Sequence, residues 1–342
     1  MRILVTGGAG FIGSHFIRCY LAEHPDAEVV NLDKLTYAGN LENLRDFEDD
    51  ARYHFMKGDI CDYGVVEEAI HGVDVVVNFA AETHVDRSIG DPEGFLKTDV
   101  FGVHVLLESA RAHDVRLFVQ ISTDEVYGPT MDDPFAEDAP LTPRNPYSAS
   151  KAGGEMLARS YFTTYGYPVI VTRAANNIGP NQYPEKVVPL FATNAIEDKP
   201  LPLYGSGDQE RDYMYVTDHC AALDLIIEKG VPGETYNIGA GNHMKNVEMA
   251  KLVLRELGKS VDLITHVRDR EGHDFRYAVD STKLMELGWE PEYDAETAIR
   301  RTVRWYAEHP EWWKPLKSGE FREYYEKQYS KRLEEAGDQQ GS

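Results

Sequence analysis

Tyr147 and Lys151 stand four residues apart in Tyr147-Ser148-Ala149-Ser150-Lys151. On a helix that spacing puts a phenol and an ammonium on one face. A cation beside a phenol lowers its pKa, so such a pair can take a proton from a hydroxyl. A second group precedes it. Ser122-Thr123-Asp124-Glu125-Val126-Tyr127-Gly128 leaves the apolar run Leu117-Phe118-Val119-Gln120-Ile121 directly. Adjacent polar side chains at the end of a buried strand are expensive unless used. Two neighbouring carboxylates can divide acid and base work if their surroundings push their pKa values apart. An ordinary Asp-Glu turn or helix cap would draw on the same residues.

A third group opens the chain. Gly7-Gly8-Ala9-Gly10-Phe11-Ile12-Gly13 follows the apolar Ile3-Leu4-Val5 and leads into a helical pattern. Glycines at 7, 10 and 13 let backbone approach a pyrophosphate, and the helix N-terminus supplies N–H donors and a positive dipole. Asp33 ends the second apolar run, Val29-Val30-Asn31-Leu32. A carboxylate there accepts from adenosine ribose hydroxyls and repels a 2′-phosphate, which favours NAD over NADP. Lys34, next in sequence, weakens that preference. Asp59 and Ile60, after the third run, are placed to meet the adenine, although Asp59 could equally cap the next helix.

The elements that must carry these groups are strands in the order Ile3–Val5, Val29–Leu32, Tyr53–Met56, Val75–Phe79, Leu117–Ile121 and Val169–Thr172, separated by helical patterns. Continuous β-branched runs between helices predict a parallel sheet covered on both faces. The expected fold is α/β: a Rossmann-type doubly wound parallel sheet with a smaller C-terminal α/β substrate-binding domain. The expected domains are 1–175, with later returns of the chain allowed, then 176–316, then a C-terminal helix and tail over 317–342. Ligands bind at the C-terminal edge of such sheets, and the smaller domain should close over that edge.

The formal charge of −23 argues against nucleic-acid binding, which needs a basic face. No apolar run reaches membrane-spanning length. Met1-Arg2-Ile3-Leu4-Val5 runs straight into the glycine turn, so no secretory leader is expected. Cys19, Cys61 and Cys220 are too scattered for a disulfide framework or a zinc site, so no metal is expected and a reducing cytoplasm is the default.

With these segments in view, the chain resembles the extended short-chain dehydrogenases, and within them the dTDP-glucose 4,6-dehydratases. The resemblance runs to about Leu316. It is carried by the glycine turn, by Asp33-Lys34-Leu35-Thr36-Tyr37-Ala38-Gly39-Asn40 and by Ala80-Ala81-Glu82-Thr83-His84-Val85-Asp86-Arg87-Ser88. It continues through Thr123-Asp124-Glu125, Asn176-Asn177, Pro184-Glu185-Lys186, Leu203-Tyr204-Gly205 and Gly272-His273-Asp274. Asp124 discriminates within the superfamily, where epimerases carry small residues and related decarboxylases and GDP-mannose dehydratases resemble Thr-Ser-Glu.

The resemblance implies oxidation at the sugar C4, loss of water across C5 and C6, and hydride return to C6, with NAD regenerated each cycle. Tyr147 with Lys151 would take the 4-hydroxyl proton. Glu125 would take the C5 proton, Asp124 would donate to the leaving 6-hydroxyl, and Thr123 would bond the 4-oxygen. NAD would meet Gly7, Gly10, Phe11, Ile12, Gly13, Asp33, Lys34, Leu35, Thr36, Asp59, Ile60, Ala80, Ala81, Thr98 and Asn177, besides Tyr147 and Lys151. Thr83 and Asn176 would touch the sugar. Lys186, Arg211, Asn246, Arg270 and His273 would hold the diphosphate and ribose, and Pro202 and Tyr204 would flank the base. Singly, most of these read as surface charges or core aromatics.

The family usually has Asn at Asp99, Thr at Val103, Tyr at Ile178 and at Asn181, and Pro at Glu271. These departures bear on base or sugar specificity rather than reaction class. A homodimer is implied, through helices around 95–113 and 147–165. Trp305, Tyr306, Trp312 and Trp313 read as packing anchors. The competing readings are a UDP-sugar 4-epimerase or UDP-glucuronate decarboxylase, against which Asp124 argues, and a non-catalytic NAD-sensing regulator. The regulator would have no need of Tyr147, Lys151 and the triplet together.

Overall fold

The apolar runs of the first half pair as strands because all but one are buried on both faces; the exception, Tyr53–Met56, lies at the sheet edge and is half exposed. In the computed structural model, which describes residues 1–269 and 273–340, twelve strands are described. They are β1 (Arg2–Thr6), β2 (Glu28–Asp33), β3 (Tyr53–Lys57), β4 (Val75–Asn78), β5 (Leu117–Thr123), β6 (Val169–Ala174), β7 (Asn176–Ile178), β8 (Leu201–Tyr204), β9 (Glu210–Tyr215), β10 (Thr235–Ile238), β11 (His243–Lys245) and β12 (Ile264–Val267). The chain divides into two compact units. The first holds Met1–Ala175, Val216–Gly239 and Ala278–Glu290, and the second holds the remainder.

In the first unit seven parallel strands lie in the order β10-β6-β5-β4-β1-β2-β3. The order reverses between β1 and β4, and a crevice forms at the carboxyl ends of strands at such a point. Leu4, Val76, Phe118 and Val171 from four strands pack with Val105 and Leu106 of the helix Val103–Ala112 in one apolar core. The six runs expected from sequence are β1 to β6, and β10 adds a seventh. It is held there by Asn237, whose Nδ2 donates to the carbonyls of Phe135 and Asp280. The helix Val216–Lys229 also returns to this unit, and the Trp289 indole N–H fixes the last return by donating to the Asp218 carbonyl at 3.0 Å.

Beneath the strand ends runs a buried polar chain. The Thr6 hydroxyl donates to Asn78 Oδ1 (2.6 Å), and Asn78 Nδ2 donates to Gln120 Oε1 (2.9 Å). It ties β1, β4 and β5 together at the level where the loops depart, and so fixes the platform under any ligand.

The second unit is smaller. β7 and β11 flank β9, parallel and antiparallel respectively, and β8 pairs with β12 in parallel. The helices Val187–Ile196, Asn246–Glu256 and Ala295–Glu308 bury Phe191, Val253 and Ile299 against one another. Tyr306 and Trp313 are fully buried, and the Trp313 indole N–H donates to the Tyr306 carbonyl, which makes them anchors of this core. Phe321 and Tyr329 join the same core, so the C-terminal segment packs rather than trails.

Candidate active site

In the first unit, Gly7 follows β1 with φ +69° and donates its N–H to the Leu32 carbonyl. A Cβ at Gly7 would lie 2.7 Å from the Ala80 nitrogen, and one at Gly13 would lie 2.5 Å from the Gly7 oxygen. Only glycine allows the turn to close against the start of the β4 loop. Gly10 caps the helix Phe11–Glu23 and brings no side chain to its first-turn N–H groups. An anionic ligand can satisfy such groups.

Asp33 closes β2. Its carboxylate accepts the N–H of Ala9 (2.9 Å) and of Leu35 (2.7 Å), and so tethers the glycine turn to the next loop. Burial pushes this carboxyl above its ordinary value, and the two N–H groups oppose the rise. Lys34 is paired with Asp59 at 2.8 Å. Burial pushes Asp59 up, but Lys34 outweighs it and holds the carboxyl below its ordinary range. A 2′-phosphate would meet a cation already matched, so Lys34 does not soften the preference for NAD. Asp59 is not a helix cap. Asp62 caps Tyr63–Ala69 by accepting from Gly64 and Val65. The glycine cradle, Asp33 and the Lys34–Asp59 pair together fit a dinucleotide without a 2′-phosphate.

Thr123 ends β5, and Asp124–Tyr127 turns at once into a short 3₁₀ helix. Tyr147 lies in the first turn of the helix Pro146–Tyr165. Pro146 opens that helix, and Asn145 and Ser148 cap it reciprocally. The structure brings the two groups together, since Thr123, Asp124 and Glu125 all act on the Tyr147 phenol. Lys151, one turn on, is buried and donates to the Ile121 carbonyl at 2.7 Å. Gln120 Nε2 donates to that same carbonyl, so the polar chain under the strands ends at Lys151.

The protein's own groups act on the phenol in both directions. Burial and then the charge of Glu125 push Tyr147 above its ordinary value, with Asp99 and Asp124 adding to the rise and the Thr123 hydroxyl opposing it. Lys151, one turn away, is a cation that favours the phenolate, but the net effect on the phenol is a rise. The lysine's own pKa is lowered by burial, against the pull of Asp99 and Glu155.

Among the other first-unit residues, Ala80 donates its N–H to Thr6 Oγ1, and the Thr83 carbonyl accepts the Tyr37 hydroxyl. Thr98 lies in a π-helical stretch, Lys97–Gly102. Ile60 is buried, and its Cδ1 would be 2.5 Å from a Cβ at Gly102.

The second unit carries the remaining expected residues. Asn176 and Asn177 lie on β7, and the Asn177 carbonyl accepts from Gln182. Lys186 caps Val187–Ile196. Arg211, on β9, donates to the carbonyls of Glu210, Phe275 and Asp274, with its guanidinium 4.7 Å from the Tyr277 ring centre. Asn246 accepts the Tyr213 hydroxyl at 2.8 Å. Pro202 and Tyr204 lie on β8, and the Tyr204 ring meets His273 edge to face. His273 is bonded to Asp269 at 2.6 Å. Arg270 lies outside the described residues.

Sequence reasoning missed several neighbours. Gln328 and Arg332 donate to the Tyr204 hydroxyl at 2.8 and 2.9 Å, and Tyr329 packs near its ring. Ser150 and Asp99 are bonded at 2.6 Å beside Lys151. Only the Asp in place of Asn at position 99 gave a signal.

The family described as GDP-mannose 4,6 dehydratase matches residues 4–302. A dTDP-glucose 4,6-dehydratase of Streptomyces niveus is 47% identical over 323 residues, which covers 93% of this chain and 96% of that protein. The low-salt glycan biosynthesis protein Agl12 of Haloferax volcanii is 50% identical over 306 residues, covering 90% and 98%. The crystal structure of DesIV, a dTDP-glucose 4,6-dehydratase from Streptomyces venezuelae with NAD bound, superposes with a TM-score of 0.90 at 47% identity over 93% of this chain and 100% of that one. The chain belongs to the GDP-mannose 4,6 dehydratase family.

Proposed function

We propose that this protein is an NAD-dependent dTDP-glucose 4,6-dehydratase that makes the 4-keto-6-deoxy sugar nucleotide. The observation that carries the reading is the triplet Thr123-Asp124-Glu125 at the end of β5, acting on the Tyr147 phenol, with Lys151 one helical turn beyond. The dehydratase relatives and the NAD-bound neighbour support it. NAD, which the glycine turn and Asp33 would hold, would supply the acceptor for hydride from C4 and its return to C6.

The protein's own groups do the rest. Thr123, beside the phenol, orients the 4-hydroxyl. Tyr147 takes its proton, and the buried Lys151 ammonium favours the phenolate. The 4-ketone then acidifies the C5 proton, which passes to Glu125, and C5 is reprotonated once hydride has reached C6. Asp124, buried at the start of the 3₁₀ turn, gives a proton to the departing 6-hydroxyl. Lys186, Arg211, Asn246 and His273 are assigned to the nucleotide diphosphate and ribose, where Arg gives bidentate phosphate contacts. We assign the base to Pro202 and Tyr204.

We also propose a homodimer formed through the helices around 95–113 and 147–165, and a cytoplasmic setting, which suits three free cysteines. The deciding experiment offers dTDP-, UDP-, CDP- and GDP-glucose and follows product mass. Loss of water from dTDP-glucose is expected. Glu125→Gln should leave oxidation at C4 running while water loss stops. Turnover without a mass change would mean an epimerase. No turnover with any substrate despite tight NAD binding would favour the regulator.

A further inference from the structure

We propose that Asp99 is a positioning residue for the Tyr147–Lys151 pair, a buried carboxylate that keeps the Lys151 ammonium charged and thereby sets the alkaline limit of turnover. The proposal rests on the catalytic reading of Tyr147 and Lys151.

The placement of Asp99 is enforced by backbone. It lies in the π-helical stretch Lys97–Gly102, where one extra residue per turn re-aims side chains. That stretch is pressed onto the helix Pro146–Tyr165. A Cβ at Gly154 would come within 2.2 Å of the Asp99 carbonyl oxygen, and one at Gly153 within 3.0 Å of Val100 Cγ2. Asp99 is 2% exposed. One carboxylate oxygen accepts the Glu82 N–H at 3.0 Å, and the other accepts the Ser150 hydroxyl at 2.6 Å. Ser150 precedes Lys151, so the carboxylate is bonded to the turn that carries the lysine. Two donors on one carboxylate favour its ionised form.

A buried ammonium needs an anion. Lys151 Nζ donates to the Ile121 carbonyl, which offsets no charge. Two carboxylates act on it, Asp99 and Glu155. Glu155 is matched elsewhere: Arg173 Nε lies 3.1 Å from both of its oxygens, and the pair is fully buried. Asp99 is left to balance Lys151. The other ionisable group facing Asp99 is Glu82, in the loop after β4, and Tyr147 feels Asp99 together with Glu125 and Asp124. Asp99 therefore acts in two directions. Through Lys151 it favours the Tyr147 phenolate, and directly it opposes it.

The pH profile separates the two. If Asp99 works through Lys151, removing its charge makes the ammonium lose its proton at lower pH. The alkaline limb of kcat for dTDP-glucose in Asp99→Asn should then move acidward by about one pH unit, with KM nearly unchanged. Asn fits the same space and keeps an acceptor for the Glu82 N–H, and a melting curve checks that the variant folds. Ser150→Ala removes the bond but keeps the charge, so its alkaline limb should stay near that of the wild type. Superimposable profiles for Asp99→Asn and wild type would overturn the proposal. So would movement of the acid limb alone, since that marks a direct effect on Tyr147. Tyr147→Phe is run alongside. Full activity in it overturns the catalytic reading itself, whereas a dead Tyr147→Phe with an unmoved Asp99→Asn profile overturns only the role of Asp99.

Discussion

A carboxyl whose folded-state pKa is raised makes the folded state worse off wherever it is ionised. Burial lifts Asp99 from the ordinary 3.8 to about 6, with Lys151 and the Ser150 hydroxyl opposing the rise. The sign follows directly. Below the ordinary value the group is neutral in both folded and unfolded chains, and it costs nothing. As pH rises through the window from 3.8 to about 6, the unfolded chain ionises first and stability is lost. Above it the full penalty stands, about 3 kcal/mol at about 1.4 kcal/mol per pH unit. Asp99→Asn should therefore unfold at a higher temperature than the wild type at pH 7.5, and the gap should narrow toward pH 4.5. Thermal melts of the two proteins across that range decide it. A gap that is constant with pH, or a variant less stable at pH 7.5, would show that the carboxylate carries no such penalty. A residue that weakens the fold beside the chemistry it supports is the form a local conflict takes at a functional site.

The helices that hold Asp99 and Lys151 also present apolar residues outward. Leu96 is 57% exposed, Phe101 44%, Met156 53% and Tyr165 56%. Single exposed apolar side chains are ordinary, but several on two neighbouring helices mark a surface that another copy can cover. Covering it would also clamp the π-helical stretch against Gly153 and Gly154. Met156→Glu combined with Phe101→Glu should halve the mass seen by light scattering and lower kcat more than KM. A wild type already of single-chain mass would end the dimer reading. Such relations were not visible in sequence, because periodicity shows that a face is apolar but not what covers it. β1, β2, β4, β5 and β6 were legible, since strands buried on both faces read as unbroken apolar runs, whereas β3, a half-exposed edge strand, was legible from its aromatic residues Tyr53 and Phe55. β10 was not, because Thr235-Tyr236-Asn237-Ile238 mixes polar and apolar residues and owes its place to partners far along the chain. The same holds at the site. Tyr147 with Lys151, and Thr123 with Asp124 and Glu125, are local spacings. Asp99 with Ser150, and Tyr204 with Gln328 and Arg332, are brought together only by the fold.

At the scale of the molecule the dominant fact is charge: 58 acidic against 35 basic side chains, a net of −23. Like charges spread over a folded surface repel, and the unfolded chain relieves that repulsion by expanding. Salt screens it, since the Debye length falls from about 10 Å at 0.1 M to about 3 Å at 1 M. Screening also weakens surface ion pairs such as Arg18–Asp46 and Lys283–Glu234, but exposed pairs contribute little each. With so many more anions than cations, relief of repulsion outweighs the loss. The melting temperature at pH 7.5 should therefore rise as KCl is taken from 0.05 to about 1 M. Salt can also raise stability by strengthening apolar burial, and that contribution does not depend on protein charge. Repeating the series near pH 5, where carboxylates begin to take up protons, separates the two. Screening predicts a clearly smaller rise there, whereas strengthened burial predicts the same rise at both pH values. A flat or falling melting temperature at pH 7.5 would mean that the acidic surface is already balanced by its arrangement, and that the net charge costs this fold nothing.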